Sequence, residues 1–312
     1  MPGMKDLVKG TDRYRNFIGG QWVESTLKEW IEVENPATGQ VIASVPRGNA
    51  DDADRAVTAA YQAQPAWEAL PPAARGQLLK DLARVVLENR ERLARMVIAE
   101  QGKPLQEARG EIESAALYLS YAAEEARRIT GDIIPSDNPD EQIWIQKVAH
   151  GVVIALTAWN YPAALMCRKI GPALIAGNTV VVKSHEGTPT TALEIAQLAD
   201  QVGFPAGVIN MVSGTGEGVG RALVTHPLSR LITLTGSVRA GKDIFRNAAD
   251  DLKILRLELG GKAPSRMPIS APRCAPRCCR ASRIAARSAS ATSACMCMKR
   301  SPTNSSIASP AR

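Results

Sequence analysis

The residues best suited to chemistry lie in one stretch, residues 255–264. There a single carboxylate, Glu258, lies among leucines just before Gly260-Gly261. An apolar setting disfavours the charged form of a carboxylic acid, so such a group can take up and release a proton near neutral pH. Glu258 is therefore a candidate general base. The alternative is a structural glutamate at the exposed end of a strand before a Gly-Gly turn, and the stretch by itself favours that alternative.

The composition of the chain limits its partners. The chain has 312 residues, of which 45% are apolar, enough for about two domains with sizeable cores. Residues 265–312 hold nine of the 38 basic residues and none of the 31 acidic ones, which leaves 29 basic and 31 acidic residues in 1–264, a net charge of −2. The formal charge of +7 therefore belongs to the tail, and the body has no basic bias toward nucleic acid.

Cysteine is distributed in the same uneven way. Cys167 is the one cysteine of residues 1–264, and the tail contains Cys274, Cys278, Cys279, Cys295 and Cys297. One cysteine in so long a body predicts a reducing, cytoplasmic location rather than a disulfide framework. The N-terminus has no apolar signal core, and no run approaches the roughly 18 apolar residues of a membrane span, so we expect no membrane partner.

Composition and periodicity divide the chain into segments. Residues 1–13 predict a flexible polar arm, and residues 14–129 predict a β-hairpin around Gly19-Gly20 followed by packing helices. Residues 130–150 are polar and strand-like, which predicts either a surface meander or a protruding hairpin with a bridging or oligomerisation role. Residues 265–312 show no periodicity, which predicts disorder.

Residues 151–264 alternate short apolar runs with helical patterns. The predicted strands are 152–156, 179–183, 208–212, 230–235 and 252–257, and the predicted helices are 162–175, 190–201, 217–225 and 238–249. This alternation predicts an α/β fold with a Rossmann-like, doubly wound parallel sheet. Ligands of such sheets bind beyond the carboxyl ends of the strands, so the strand-to-helix loops are the places to look for function.

Four of these loops have residues suited to binding a nucleotide: 159–162, 183–186, 213–220 and 235–237. Each opens a helix, where free backbone N–H groups and the helix dipole favour a phosphate. The glycine loop, residues 213–220, is weak evidence alone, because glycines also serve plain turns. Lys183 ends a buried strand and needs a polar or anionic partner, and Glu186 is suited either to a ribose diol or to capping a helix. Together the four loops predict a nucleotide site.

At residues 14–264 the chain resembles the aldehyde dehydrogenase superfamily. The resemblance rests on these motifs: Asn35-Pro36-Ala37-Thr38-Gly39, Trp159-Asn160-Tyr161-Pro162, Gly177-Asn178-Thr179-Val180-Val181-Val182-Lys183, the glycine loop, Thr235-Gly236-Ser237 and Glu258-Leu259-Gly260-Gly261-Lys262. Among the subfamilies, the chain is most similar to the lactaldehyde and glycolaldehyde dehydrogenases. The resemblance departs from the family pattern at Ala158, where proline is usual, and at Ser184-His185, where Pro-Ser is usual.

The resemblance implies an NAD-dependent oxidation of a small hydroxyaldehyde, such as lactaldehyde or glycolaldehyde, to its acid by a homo-oligomer. It implies that residues 151–264 bind NAD, with Lys183 and Glu186 at the adenosine ribose. The other implied cofactor residues are Thr157, Trp159, Gly216, Gly220, Gly236, Ser237 and Leu259. Asn160 would donate its side-chain N–H to the oxyanion, and Glu258 would be the general base.

The family's nucleophilic cysteine should follow Glu258 inside Gly-Gln-Val-Cys, and this chain has no such motif. Read from one base earlier, the codons of residues 267–270 can encode Asp-Ala-Asp-Leu, and those of residues 285–299 can encode Gly-Gln-Val-Cys and its family neighbours. We therefore predict a short deletion after Pro264, with residues 265–312 translated out of frame and the catalytic domain missing.

The alternative for the tail is a genuine metal- or nucleic-acid-binding segment. Its cysteines lack the paired spacing of zinc sites, and no aromatic residue interleaves its arginines. We therefore expect no metal. Two hypotheses remain for the chain: an aldehyde dehydrogenase by descent, and a catalytically inactive nucleotide-binding remnant.

Overall fold

The N-terminal strands contribute to two sheets in this computed structural model, which describes residues 3–8 and 11–260. Strands β1 (Lys5–Val8) and β2 (Thr11–Tyr14) form an antiparallel hairpin. Strands β3 (Asn16–Ile18) and β4 (Gln21–Val23) form the hairpin predicted around Gly19-Gly20. Strands β5 (Trp30–Glu34) and β6 (Val41–Pro46) join the first hairpin in a sheet of order β1-β2-β6-β5.

The prediction of a flexible arm over residues 1–13 is wrong for the residues that form β1 and β2. Lys5 Nζ lies 2.7 Å from Asp12 Oδ2 and 3.2 Å from Glu194 Oε1, and Glu194 is buried. Met4 is also buried in the core. The charge of Lys5 is thus paired within the fold, with Asp12 and with Glu194. A local sequence pattern did not show this, because Glu194 lies far along the chain.

Four helices follow the N-terminal strands: α1 (Ala50–Ala69), α2 (Pro72–Glu88), α3 (Arg90–Gln101) and α4 (Leu105–Glu124). Asn49 and Asp52 form a capping box at the start of α1, which satisfies backbone donors that the helix leaves free. Helix α3 ends at Gly102, whose φ of 82° lies in the left-handed region that favours glycine. Strands β7 (Asp132–Pro135) and β8 (Gln142–Ile145) then form an exposed antiparallel hairpin, as one alternative predicted.

The rest of the described chain builds the predicted α/β sheet. Its elements are β9 (Val152–Leu156), α5 (Pro162–Ile175), β10 (Thr179–Lys183), α6 (Thr190–Val202), β11 (Ile209–Met211), α7 (Arg221–Thr225), β12 (Ser229–Gly236), α8 (Val238–Asn247) and β13 (Ile254–Leu259). The strand order is β13-β12-β9-β10-β11-β3-β4, with the first five strands parallel and β3 antiparallel to β11.

Helices cover both faces of this sheet. Successive side chains of a strand point to opposite sides, so each strand contributes to two cores. Val153 and Ala155 of β9 pack into a core with α2, α4, α5 and α6. Val152 and Ile154 of the same strand pack into a second core with α1, α7 and α8. The described residues up to Leu259 form one compact unit. Within residues 3–8 and 11–260, no helix has the length and apolar character that crossing a membrane requires.

Candidate functional site

The carboxyl ends of four neighbouring parallel strands lie at one edge of the sheet. Strands β12, β9, β10 and β11 are adjacent and run in the same direction, so the loops after them emerge side by side. This places at one edge the predicted cofactor residues Thr157, Trp159, Lys183, Glu186, Gly216, Gly220, Gly236 and Ser237. The Cδ atom of Lys183 lies 3.9 Å from where a Cβ on Gly220 would stand, so the loop of residues 183–186 contacts the glycine loop, residues 213–220.

Lys183 and Glu186 form an ion pair at this edge, with Nζ and Oε2 3.0 Å apart. Lys183 is buried, and burial lowers the pKa of its ammonium although Glu186 opposes the shift. Burial alone would raise the pKa of Glu186, but the positive charge of Lys183 outweighs it, with help from His185, and the pKa is lowered. The edge therefore presents an ionised carboxylate that is only partly exposed.

The glycine loop forms a wide helical turn, residues 216–220, before α7 rather than the regular helix predicted from residue 217. Thr215 Oγ1 accepts a hydrogen bond of 3.1 Å from the amide of Gly218 and caps this turn. A Cβ on Gly218 would stand 3.0 Å from that hydroxyl, whereas one on Gly216 would meet nothing within 4 Å. The turn thus leaves open space beside Gly216, where a ligand can approach the backbone.

The start of α8 lies next along the edge. Ser237 caps the helix, with its hydroxyl oxygen accepting a 3.1 Å hydrogen bond from the Ala240 amide. Leu259, at the end of β13, packs on this helix, since a Cβ on Gly241 would stand 2.6 Å from its Cδ2 atom. Leu259 therefore lies on the α8 side of the sheet.

Several buried oxygen atoms at the edge have no hydrogen-bond partner among the described residues. They belong to Thr157, Asn160, Ser184, Ser213 and Thr235, each at or just after the end of a strand. Buried polar atoms in proteins are nearly always hydrogen-bonded. Their concentration at the carboxyl edge indicates a site for a polar ligand with several donors, and the hydroxyls and amides of a dinucleotide fit such a site.

Asn160 lies in a loop held by two residues that the sequence analysis missed. Lys103 Nζ donates a 2.8 Å hydrogen bond to the backbone oxygen of Asn160, and it lies 3.9 Å from the centre of the Tyr161 ring. Lys103 also pairs with Glu111, whose other oxygen accepts hydrogen bonds from the Ala163 and Ala164 amides. Burial raises the pKa of Glu111, and Lys103 opposes that shift. The pair therefore fixes both the Asn160 loop and the start of α5.

Glu258 does not have the apolar surroundings that its leucine neighbours suggested. The alternation along β13 directs Leu255 and Leu257 to the core shared with α1 and α8, and so turns Glu258 to the opposite face. That face of the edge strand is open: the Glu258 side chain is 56% exposed and lies 3.3 Å from Arg168 Nη2. Among the described residues, the expectation of an acid in an apolar setting is therefore wrong.

Glu258 lines a cavity of about 480 Å³ between α5 and strands β12 and β13, together with Leu165, Arg168, Lys169 and Thr235. Lys169 Nζ donates a 2.9 Å hydrogen bond to Thr233 Oγ1, and burial lowers its pKa to about 8 although Glu258 opposes the shift. Lys169 was not among the predicted site residues, and the available signal was the Arg168-Lys169 pair in an otherwise apolar helix. The cavity thus combines a carboxylate with a partly buried amine that can exchange a proton near neutral pH. Within the described residues, no cluster of three or more His, Cys, Asp or Glu is suited to a metal ion.

A buried carboxylate, that of Glu100, supports the loop after β10. Glu100 accepts hydrogen bonds from the Thr190 amide at 2.7 Å, the Thr190 hydroxyl at 2.6 Å and the Thr191 amide at 3.1 Å, and so caps α6. Burial raises the pKa of Glu100 from 4.5 to about 7, although these hydrogen bonds oppose it. The sequence gives no sign of this cap, because Glu100 ends a different helix.

The Glu100 carboxyl group predicts a pH-dependent stability. An acid whose pKa rises on folding costs no free energy below its unfolded value, and its cost grows until the folded value is reached. With pKa values of 4.5 and about 7, stability falls as the pH rises through this window, by about 3 kcal/mol. We expect a Glu100→Gln variant to lose this fall, in urea unfolding at both ends of the window. A Glu88→Gln control changes an exposed carboxylate, and the same pH trend in both variants would contradict the prediction.

The model of the family described as "Aldehyde dehydrogenase family" matches residues 22–306. The chain is 45% identical over 252 residues to 3,6-anhydro-α-L-galactose dehydrogenase of Vibrio sp. (strain EJY3), covering 81% of this chain and 52% of the relative. It is 44% identical to the NADP(+) succinate-semialdehyde dehydrogenase of Escherichia coli (strain K12), with coverage of 81% and 52%.

Lactaldehyde dehydrogenase of the same Escherichia coli strain is 43% identical, with coverage of 80% and 52%. A solved structure of 3,6-anhydro-L-galactose dehydrogenase in complex with NADP superposes with a TM-score of 0.81 at 40% identity, covering 88% of this chain and 56% of that one. A betaine aldehyde dehydrogenase from Staphylococcus aureus in complex with NAD+ has a TM-score of 0.79 at 37% identity, with coverage of 80% and 52%. The chain spans about half the length of the curated relatives that it matches.

Proposed function

Because this chain belongs to the aldehyde dehydrogenase family, we propose that its described residues form the cofactor-binding half of an NAD-dependent oxidoreductase acting on aldehydes. The observation that carries the proposal is the carboxyl edge of the sheet. There lie a partly exposed carboxylate, an open glycine turn and five buried side-chain oxygens that have no hydrogen-bond partner among the described residues. Bound NAD supplies the acceptor for the hydride that leaves the substrate.

The chain's residues have separate roles in holding NAD. Lys183 and Glu186 would bind the adenosine ribose, where the carboxylate accepts hydrogen bonds from the diol. Gly216, Gly220, Gly236 and Ser237 would lie along the adenine and the pyrophosphate, with backbone amides at the starts of two helices facing the phosphates. Thr157, Trp159 and Leu259 complete the proposed set. The two solved relatives were determined with NADP and with NAD+ respectively, so both cofactors occur among relatives of this fold.

The proposed preference for NAD over NADP rests on Glu186, and titration with both cofactors tests this preference together with cofactor binding itself. The ionised carboxylate repels the 2′-phosphate of NADP, whereas it accepts hydrogen bonds from the free ribose of NAD. We expect the chain to bind NADH more tightly than NADPH, and a Glu186→Ser variant to gain roughly tenfold in NADPH affinity, which corresponds to about 1.4 kcal/mol. Fluorescence titration of both cofactors measures this.

The matched control for Glu186→Ser is Glu217→Ser, which removes an exposed acid from the glycine loop at the same edge. A general effect of negative charge would appear equally in both variants, whereas contact with the ribose would appear only in the first. Equal affinity of the unaltered chain for NADH and NADPH would contradict the proposed role of Glu186. Failure to bind either cofactor would contradict the proposed function itself.

The proposed chemistry uses two described residues. Asn160 would donate its side-chain N–H to the oxyanion that forms on the aldehyde, a donor worth a factor of roughly 10²–10³ in rate. Glu258, at the cavity shared with Lys169, would take a proton from the nucleophile or from the hydrolytic water. In this family a cysteine thiolate adds to the aldehyde, a hydride leaves, and water releases the acid from the thioester.

Cys167 is not suited to be that nucleophile. It is the one cysteine among the described residues, it is fully buried in α5, and burial raises the pKa of its thiol. A reactive cysteine needs an accessible thiolate. The thiol must therefore come from outside residues 3–8 and 11–260.

The substrate that we propose is a small hydroxyaldehyde such as lactaldehyde or glycolaldehyde, supported by the lactaldehyde dehydrogenase relative. A second candidate is an aldehyde with a negatively charged end, as in the name of the succinate-semialdehyde relative. The observation that favours it is Arg168, whose half-exposed guanidinium lies at the cavity beside Glu258. The enzyme from the gene with its reading frame restored distinguishes the two candidates, when lactaldehyde and succinate semialdehyde compete for it and the oxidation of each is measured.

The proposed partners are the aldehyde and further copies of this chain. The β7–β8 hairpin exposes Ile133 by 67%, Trp144 by 69% and, just after it, Val148 by 71%. Exposed apolar side chains in such number are typical of an interface, which supports the oligomerisation role predicted for residues 130–150. Sedimentation velocity tests it. The cytoplasmic location stays a prediction from the single cysteine of residues 1–264.

The inactive nucleotide-binding remnant is the second candidate function. The observation that favours it is the composition of residues 265–312, which has nine basic residues, no acid and no Gly-Gln-Val-Cys motif. The predicted frameshift and out-of-frame tail lie outside the described residues. Resequencing the gene around the Pro264 codon tests the prediction directly.

A further inference from the structure

Two hydrogen bonds from outside the carboxyl edge hold the start of the glycine loop. The amide of Ser213 donates to Asn16 Oδ1 at 2.9 Å, and the carbonyl of Ser213 accepts from the Gly48 amide at 3.0 Å. Asn16 lies on β3, and Gly48 lies between β6 and α1. Both belong to the N-terminal segment that the sequence analysis assigned to packing alone.

The contact on the Gly48 side leaves no spare room. A Cβ on Gly48 would stand 2.4 Å from the Ser213 carbonyl oxygen, which is a clash with backbone. The next residue, Gly214, has a φ of 145°, and a Cβ there would stand 2.7 Å from Val219 Cγ1 and 3.0 Å from the Gly48 amide. Ser213 and Gly214 are thus held between β3 and Gly48, and the open turn at residues 216–220 begins from this fixed point.

Burial of the Asn16 side chain costs free energy that packing alone does not explain. It is fully buried on β3, and its Nδ2 atom has no hydrogen-bond partner among the described residues. A buried, half-satisfied amide costs free energy relative to an apolar side chain of similar size. The hydrogen bond that it does accept goes to the first residue of the glycine loop, so its contribution lies in where that loop is placed.

We propose that Asn16 is a positioning residue of the cofactor site, which holds the glycine loop ready for NAD through its hydrogen bond to Ser213. This role rests on the proposed function. A loop that must become ordered during binding lowers the affinity for the ligand. The observed affinity is the intrinsic affinity multiplied by the fraction of time that the loop spends in the binding conformation. Loss of the Asn16 hydrogen bond therefore lowers the affinity for the cofactor and does not lower only the stability of the fold.

The test is the NADH affinity of the full chain with Asn16→Leu, which removes the hydrogen bond at similar volume. We expect a loss of about tenfold, equivalent to about 1.4 kcal/mol. Gly48→Ala is the second variant, since its new methyl group displaces the Ser213 carbonyl from the other side, and we expect a similar loss. Either variant that folds, by circular dichroism and thermal unfolding, is sufficient for the measurement.

Asn210→Leu is the matched control. Asn210 is also fully buried, on β11, but its side chain bonds the Gly19 amide at 2.8 Å and the Gly207 carbonyl at 2.7 Å, at the opposite end of that strand. We expect this variant to lose thermal stability and to keep NADH affinity. That split, with affinity lost for Asn16 and Gly48 but not for Asn210, supports a positioning role.

Three results overturn the inference. Unchanged affinity in both the Asn16 and Gly48 variants, with NADH bound by the unaltered chain, overturns the role and leaves the proposed function standing. Equal losses of affinity for Asn16→Leu and Asn210→Leu make Asn16 a structural residue only. An unaltered chain that binds no NADH overturns the proposed function and this role together.

Discussion

Replacing Lys103 by methionine is expected to lower the free energy of unfolding by about 3–5 kcal/mol, because it leaves the Glu111 carboxylate buried without its partner. The two side chains are 5% and 0% exposed, so water cannot take the place of the ammonium. The same variant loses the 2.8 Å hydrogen bond to the Asn160 carbonyl, which loosens the loop that carries the proposed oxyanion donor. Urea unfolding followed by circular dichroism measures the loss.

Two further variants separate the buried charge from the lost packing. A double variant, Lys103→Met with Glu111→Leu, removes both charges and should recover much of the stability, since an apolar pair avoids the cost of desolvating ions. Glu88→Gln breaks the exposed Arg84–Glu88 pair, where side chains are 60% and 57% exposed, and should leave unfolding unchanged. A Lys103→Met chain as stable as the Glu88→Gln control would show that the buried pair contributes little.

The sequence predicted the parts of the fold that depend on local pattern. The predicted bounds of β9, α5 and β10 agree with the structure, because each strand is buried on both faces and reads as a continuous apolar run. In the structure, helix α5 has proline in its first turn and is followed by Gly177, whose φ of 89° lies in the region that favours glycine. The order of strands then brought the predicted loops to one edge.

The parts that the sequence did not predict depend on residues distant along the chain. Glu111, Glu100 and Asn16 look like ordinary helix and strand residues, and their roles appear only when α5, α6 and the glycine loop are packed against them. The prediction for Glu258 was wrong for the opposite reason, because it relied on local sequence neighbours. Its leucine neighbours suggested an apolar pocket, but β13 is an edge strand of the sheet that residues 3–8 and 11–260 form, and alternation turns the carboxylate to the more exposed face.

We expect the 312-residue chain to form no NADH from NAD and either lactaldehyde or glycolaldehyde, although Asn160 and Glu258 are both present. The family reaction needs a thiolate that bonds to the aldehyde carbon, and Cys167 is buried with a raised thiol pKa. The tail cysteines lack the Gly-Gln-Val-Cys surroundings. Absorbance of NADH at saturating cofactor measures the reaction, and the control is the same gene with its reading frame restored after the Pro264 codon.

The outcome of this assay divides the two candidate functions, because an oxyanion donor and a base cannot replace a nucleophile. Asn160 and Glu258 lower the barrier of an addition, but neither forms the covalent bond to the aldehyde carbon on which hydride transfer in this family depends. Turnover that survives replacement of every cysteine by serine would contradict the thiol mechanism. Turnover that depends on Cys295 would contradict the frameshift. The 312-residue chain is to be compared with the enzyme whose reading frame is restored. If the chain forms no NADH but still binds it, and the restored enzyme is active, then this polypeptide keeps the cofactor site and lacks the nucleophile.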